Sequence, residues 1–378
     1  MENDDASEMI LVVRANVAND FTASFGLSSS NSYSYNFFID WGDGQSETIV
    51  GSGYNKRISH KYNTSTPTNY TVRISGTMPY YKTETQCVSE VVQWGKTGLK
   101  SISFSGNTLL QKIAGDEYAS FKNLTDISFD GCKNLSSLPE NLFKYCTNVT
   151  SFKETFRGCS ALTNLPENLF KYCTNVTSFY YTFYDCDGLT SLPENLFKHN
   201  TNVTSFYYTF YNCDGLTSLP ENLFKHNTNV TSFDCTFRDC DGLTSLPENL
   251  FKYNANVISF TATFLDCDGL TSLPENLFKY NANVTSFYQT FYSCSALASI
   301  PTGLFDYNRR VTNFNQTFGY CSKSTGESPY TEIDGVKYHL YERHLNIDQF
   351  ATPTSYSNCF YGCNQLTDWE DIKRYGWN

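Results

Sequence analysis

At 378 residues, formal net charge −11 and pI near 5.0, the chain has room for one or two domains and no electrostatic pull toward nucleic acid or an anionic membrane. No apolar run approaches the ~18–20 residues that a membrane helix needs. Aromatic residues reach 16%, yet most of the 30 Phe recur at fixed positions, which points to packing rather than to a binding composition.

The opening Met1-Glu-Asn-Asp-Asp5 is acidic and has no apolar core after it, so no signal peptide is visible. Residues 8–80 carry no repeat. Met9–Val13, Asn36–Asp40 and Asn69–Ile74 read as strands between polar, turn-rich segments. Trp41-Gly42-Asp43-Gly44 reads as a tight turn whose glycines permit positive φ. Asp40 and Asp43 read as turn carboxylates before they read as Ca²⁺ ligands. The set Trp41–Gly44, His60-Lys61-Tyr62 and Tyr70–Gly76 resembles a PKD-like, immunoglobulin-like β-sandwich, a module that serves surface proteins as spacer or binding unit. Thr77 to Gly98 reads as a junction and as the N-terminal cap of the C-terminal region.

From Leu99 a rhythm begins irregularly, and from Asn148 it runs with a period of 27 residues. Leu-Pro recurs from Leu138-Pro139 to Leu273-Pro274, Thr-Phe from Thr155-Phe156 to Thr317-Phe318, and cysteine from Cys132 to Cys321. Such a period marks stacked repeats. Each copy offers about eight apolar anchors worth roughly 1.5–3 kcal/mol apiece. Ordering each of its residues costs about 1–2 kcal/mol of backbone entropy, so a single copy does not fold alone. Within a copy, Gly188–Leu192 and Val203–Phe206 read as strands. Pro193 opens a short predicted helix through His199, with Glu194 and Lys198 placed as an i,i+4 pair. Thr209–Cys213 reads as a helical turn. The expected architecture is an N-terminal all-β sandwich at 8–80, followed at 81–378 by a parallel α/β leucine-rich-repeat solenoid with 27-residue coils. An insertion falls at about 322–353, where Ile333-Asp334-Gly335-Val336 suggests a hairpin. Cys359–Leu366 then returns to the rhythm, and Trp369–Trp377 reads as a closing helix.

The pattern Asn-Val-Thr-Ser-Phe, Thr-Phe, Cys, Leu-Thr-Ser-Leu-Pro, Leu-Phe resembles the BspA-like leucine-rich repeats and their relatives in surface lipoproteins. It covers roughly residues 95–378, although the family's repeats are usually shorter. The resemblance implies a right-handed repeat solenoid on a secreted or surface-anchored binding protein with a lipid or covalent anchor. It also favours a leader lying outside this chain over a cytosolic location, and it names no ligand.

Nine of the fourteen cysteines share one repeat phase and read as buried free thiols, small hydrophobes stacked on themselves. Cys146 and Cys173 share another phase, where free thiols and a disulfide are both feasible. No Cys-x-x-Cys occurs. His199 and His226 read as exposed helix residues, and the Asp185/Asp187, Asp239/Asp241 and Asp266/Asp268 pairs as solvated turns before Ca²⁺ ligands. Asn148, Asn175, Asn202, Asn229 and Asn283 open Asn-Val-Thr sequons, read as a strand-entry residue copied by duplication. No nucleophile motif or phosphate loop appears, so no catalytic residue, metal or cofactor is expected.

Differences among copies are the one functional clue. They collect in three phases: Lys153, Tyr180, Tyr207, Asp234, Thr261, Tyr288, Asn315; Glu154, Tyr181, Tyr208, Cys235, Ala262, Gln289, Gln316; and Arg157, Tyr184, Tyr211, Arg238, Leu265, Tyr292, Gly319. Tyr180, Tyr184, Tyr207, Tyr211, Tyr288 and Tyr292 are the candidate ligand-binding residues, read against edge tyrosines that merely pack. The expected function is adhesion at a cell surface by a monomer that binds a host or matrix protein. A glycan-binding surface protein and a structural one without a ligand are the alternatives.

Overall fold

The computed structural model describes residues 5–52 and 57–378, so most of the acidic opening lies outside the described residues. The chain divides into two compact units, Met1–Val176 and Thr177–Asn378.

In the first unit, apolar residues alternate with polar ones, and strands follow. The strands are β1 (Met9–Ala15), β2 (Thr22–Gly26), β3 (Ser34–Asp40), β4 (Ser46–Ser52), β5 (Arg57–Lys61), β6 (Thr68–Thr77), β7 (Tyr80–Thr83) and β8 (Val88–Gln93). The three expected segments lie within β1, β3 and β6, which are neighbours in one sheet. Met9, Leu11, Val13 and Ala15 turn one way and are fully buried, as the period of two demands. The turn from β3 to β4 places Gly42 and Gly44 at φ 82° and 87°, and a Cβ on Gly42 would meet the Thr71 carbonyl oxygen at 2.5 Å. Asp40 accepts from the Gly42 N–H, and Asp43 accepts from Gln45 and lies 2.8 Å from His60 Nε2. Both carboxylates are thereby committed to the turn.

Three short strands follow: β9 (Ser101–Ser103), β10 (Lys112–Ile113) and β11 (Asp126–Ser128). They add in parallel, β9 to β7, β10 to β8 and β11 to β9. The result is a six-stranded sheet in the order β10-β8-β1-β6-β3-β4 and a five-stranded sheet in the order β11-β9-β7-β2-β5. Buried Trp41, which follows β3, stacks on Phe25 of β2 and His60 of β5, so the two sheets share core residues. Phe104, Phe129 and Phe156 then stack ring on ring at 5.7 and 5.6 Å.

The second unit is almost free of strands. Single parallel bridges join Ser178, Ser205, Ser232, Ser259, Ser286 and Asn313, each 27 residues from the last. Phe183, Phe210, Phe237, Phe264, Phe291 and Phe318 form a column with centroids 5.5–5.8 Å apart and planes within 8°. Buried side chains supply the hydrogen bonds that longer strands would have made. Thr209, Thr236, Thr263 and Thr290 donate at 2.9–3.1 Å to the carbonyls of Phe179, Phe206, Phe233 and Phe260. Cys213, Cys240, Cys267 and Cys294 point their thiols at the carbonyls of Phe183, Phe210, Phe237 and Phe264, at 3.1–3.2 Å. All fourteen cysteines are free and buried. For Cys213 and Cys267, desolvation pushes the thiol well above its ordinary range and the neighbouring thiols add to it.

A further ladder lies in the phase of Cys146 and Cys173. Asn227, Asn254, Asn281 and Asn308 are fully buried, and each Nδ2 donates twice. One bond, at 3.1 Å, goes to the carbonyl of Phe197, Phe224, Phe251 or Phe278. The other, at 2.9–3.0 Å, goes to the carbonyl of the preceding ladder Asn.

The predicted short helices are turns instead. In the segment after Pro193 the bonds are Leu196 N–H to Pro193, Lys198 to Asn195 and Asn200 to Phe197, all closing three residues back. Leu196, Phe197 and Asn200 must all turn inward, and turns that close three residues back allow it. With the helix gone, Glu194 accepts from Asn222 of the next copy at 2.7 Å. Glu221 and Glu248 likewise accept from Asn249 and Asn276 of the next copy at 2.6 and 2.7 Å, while Lys252 Nζ lies over the rings of Tyr253 and Tyr280. The predicted helical turn at Thr209–Cys213 is broken by left-handed residues before and within it, Tyr208 at φ 52° and Asn212 at φ 53°. Among the described residues the one α-helix is α1 (Trp369–Arg374), and no helix is long and apolar enough to cross a membrane.

Inside the insertion, β12 (Tyr330–Ile333) and β13 (Val336–His339) form a hairpin. Asp334 and Gly335, at φ 51° and 78°, close it as the two-residue Asp-Gly turn requires. The 3-10 turn Leu340–Leu345 follows and carries Arg343, 1% exposed. Its guanidinium donates at 2.9 Å to the carbonyls of Asn308 and Phe305. Those are the two carbonyls that a further ladder Asn would take, so Arg343 finishes the row. Burial pulls its pKa down to about 9, against the opposing pull of Asp306.

Candidate functional site

The three variable phases come together because of the backbone at two corners of each copy. Tyr181, Tyr208, Cys235, Ala262, Gln289 and Gln316 all have left-handed φ between 51° and 56°, without a glycine among them. An L-residue there pays roughly 1–2 kcal/mol in Cβ crowding. The conformation is held by hydrogen bonds to the following copy. The N–H groups of Tyr208, Phe210 and Asn212 donate to Asp234, Thr236 and Arg238 at 3.4, 2.9 and 2.9 Å, and those of Cys235, Phe237 and Asp239 to Thr261, Thr263 and Leu265 at 2.9, 3.0 and 2.8 Å.

Alternate residues are thereby aimed outward in register. Tyr180 and Tyr207 lie flat on each other at 5.4 Å with planes 2° apart, and Tyr184 and Tyr211 do the same at 4.5 Å and 3°. Tyr181 and Tyr208 stack between them at 4.9 Å. Four of the six candidate tyrosines therefore meet in two stacks. The other two stand apart: Tyr292 meets the exposed Tyr320 edge-on at 5.3 Å, and Tyr288 has no described ring contact with the four. Between the groups, Cys235, Ala262 and Leu265 form a small buried cluster with Tyr208 and Tyr292 packed on it. Tyr207 is 37% exposed, and the other five candidates are half-buried.

Sequence reasoning left Tyr181, Tyr208 and Arg238 off the candidate set. Arg238 sits over the Tyr211 ring at 5.5 Å, beside Asp239 at 3.5 Å. The missed signal is conformational, since nothing in Tyr, Cys, Ala or Gln announces a left-handed corner. Burial first, then the Cys235 thiol, raises Tyr208; burial and Asp239 raise Tyr211; burial and Tyr180 raise Tyr181. These phenols are therefore neutral donors at any physiological pH. The face offers flat apolar rings, hydroxyl tips and one guanidinium, which suits contact rather than catalysis.

The acidic turns flank this face. Desolvation raises Asp187, Asp214 and Asp241 above the ordinary carboxylate range, with nearby aspartates adding to it. Asp241 and Asp268 each accept a backbone N–H from the following copy at 3.4 Å. Among the described residues no group of three or more His, Cys, Asp and Glu could hold a metal ion. His226 is half-buried in the position that Tyr253 and Tyr280 occupy in later copies. The sequon asparagines Asn229 and Asn283 donate to backbone carbonyls of the preceding copy at 3.0 Å, which gives that residue a structural task.

Residues 93–209 match the model of the BspA type leucine rich repeat region, in six copies. Those residues thus carry leucine-rich repeats, and the described residues as a whole are mostly β and turn with few helices. No curated protein matches the chain. Three of the solved structures that resemble it are the following. The Drosophila Toll–Spätzle complex is 21% identical, with 57% of this chain and 32% of that chain covered and a TM-score of 0.33. A leucine rich cell surface protein from Faecalibacterium prausnitzii A2-165 is 16% identical, covering 71% and 76%, with a TM-score of 0.29. TLR13 in its complex with ssRNA13 is 14% identical, covering 68% and 50%, with a TM-score of 0.15. The chain spans about a third of the length of the first, and at these TM-scores the likenesses decide nothing about this chain.

Proposed function

We propose that this chain is a non-catalytic, monomeric binding protein of a cell surface that recognises a host or matrix protein through the tyrosine-bearing edge of its repeats. In this reading residues 8–80 are a PKD-like spacer, residues 81–378 form the repeat solenoid of 27-residue coils, and a leader and anchor lie outside this chain. The match to the BspA type repeat supports a surface binding role. The observation that carries the proposal is the pair of parallel stacks, Tyr180 on Tyr207 and Tyr184 on Tyr211. Tyrosine supplies a large contact area with a hydrogen-bonding tip and few rotors to immobilise, the composition that binding hot spots favour. Here the stacking has already frozen those rotors, so little entropy is left to lose on contact.

The same flat rings would seat sugar faces, which keeps a glycan-binding surface as the second reading. A panel of matrix proteins set beside a glycan array separates the two when both are repeated on the Tyr180→Ala/Tyr207→Ala variant: loss of matrix capture marks the first reading, loss of glycan retention the second, and no change on either favours a structural role for this face. On the leading reading, replacing Tyr180 and Tyr207 together by Ala abolishes capture of the matrix ligand with the melting temperature near wild type. A large drop in melting temperature would make them packing residues and remove the face from consideration.

A further inference from the structure

The two stretches that break the repeat rhythm meet around one cavity of about 360 Å³. The insertion contributes Tyr341 and His344 from its 3-10 turn, then Thr352 and Pro353; the tail after α1 contributes Tyr375 and Trp377, and Tyr356 lies between them. The rings are ordered in pairs. Tyr356 lies flat on Trp377 at 4.8 Å with planes 6° apart, Tyr341 on Tyr375 at 5.0 Å and 22°, and His344 meets Tyr375 edge-on at 6.0 Å. Tyr341 is fixed from behind by its hydroxyl, which donates to Asp368 at 3.0 Å. Long insertions within a compact fold are usually functional, and this one builds a wall rather than a loose loop.

Three features select the ligand. Among the described residues no Asp, Glu, Lys or Arg lines the cavity, so nothing there would hold a charged group. Tyr341 lies between His339 and Tyr375, and Trp377 is buried against Tyr356, so exposed Tyr356 and half-buried Tyr375 are the ring surface left to a ligand, which favours a flat ring with an apolar face. The polar atoms sit at the edges: the Thr352 hydroxyl, and His344, whose Nδ1 lies 3.0 Å from the Tyr341 carbonyl and donates to it, leaving Nε2 as an acceptor. The volume stands at the small end of the ~300–1,000 Å³ typical of ligand pockets, room for one or two rings and not for a folded partner.

We propose that this cavity is a binding site for a neutral saccharide, with one pyranose ring seated against the Tyr356–Trp377 pair and its hydroxyls turned to His344 and Thr352. The site is separate from the tyrosine face and does not depend on it. A proline-rich peptide also docks on aromatic faces, but it needs an extended groove rather than a short cavity.

The full chain is tested on an array of neutral and acidic glycans, with a decaproline peptide alongside. A neutral glycan should be retained, and its binding should weaken at least about tenfold in Tyr356→Ala and a few-fold in His344→Ala. Tyr356→Phe, which keeps the ring, should hold affinity within about threefold, and Tyr172→Ala, at an exposed tyrosine outside both sites, should leave it unchanged. Because Tyr356→Ala also uncovers Trp377, His344→Ala, at an exposed position, carries the test if the first variant melts early. Retention of no glycan, of acidic glycans only, or of decaproline alone overturns the proposal, as does wild-type affinity in both alanine variants.

Discussion

The sheets of the first unit and the repeats of the second solve one problem in different ways. In β1 and β3 every second side chain is buried, as are Val72 and Ile74 of β6, and the backbone satisfies itself along runs of seven to ten residues. In the repeats a strand shrinks to a single bridge at Ser205 or Ser232, and the bonding passes to buried Thr, Asn and Cys side chains and to peptide groups at left-handed corners. The difference teaches that a column of identical polar side chains can replace a strand when each has a carbonyl of the preceding copy within reach. It also locates the weak points. In a sheet a changed side chain leaves the backbone bonds paired, whereas in a ladder it leaves a buried carbonyl orphaned at about 1–3 kcal/mol each.

The sharpest break should come at Arg343→Met. Two buried carbonyls, those of Asn308 and Phe305, lose their donor together, and Asp306 loses the neighbouring cation that opposes its burial. A loss of about 3–5 kcal/mol in urea unfolding is expected. Asn254→Ala comes next at about 2–4 kcal/mol, since its Nδ2 serves Phe224 and Asn227. Thr236→Val keeps the shape and removes one shared donor, for about 1–2 kcal/mol. If Asn254→Ala and Thr236→Val both unfold at the wild-type urea midpoint, the ladders are ornamental and the comparison collapses. The smallest change has the opposite sign. Glu154 holds a left-handed corner at φ 56°, and its side chain makes an exposed ion pair with Lys153, so Glu154→Gly should gain about 0.5–1 kcal/mol.

Much of this was legible in the sequence, for a simple reason. A buried apolar column demands the same residue at the same phase, so Phe183 through Phe318 and Cys213 through Cys321 announce themselves. Alternation announced β1, β3 and β6 in the same way, while β2, β5 and β7, shorter and richer in Ser, Thr and Lys, did not. The Asn ladder could have been found. After Cys146 and Cys173 the position turns to Asn and keeps it through Asn200, Asn227, Asn254, Asn281 and Asn308, while the residue before changes from His to Tyr. The turns were mistaken for helices because Pro-Glu-Asn-Leu-Phe-Lys satisfies local helix rules, and only the need to bury Leu196, Phe197 and Asn200 together overrides them. Arg343 was beyond sequence reading, since its partners lie 35 and 38 residues away across an insertion. The candidate tyrosines were chosen from their variation, the alternation past Phe179 and the contact chemistry of the phenol ring; their corner geometry came only with the backbone.

Amide hydrogen exchange resolved by residue tests the central claim most directly. If the left-handed corners and side-chain columns hold the repeats as strands hold the sheets, the amides of Phe210, Phe237 and Phe264, which donate to Thr236, Thr263 and Thr290, exchange as slowly as those of β1. Exchange of these three at the rate of an open loop, with β1 still protected, would contradict it.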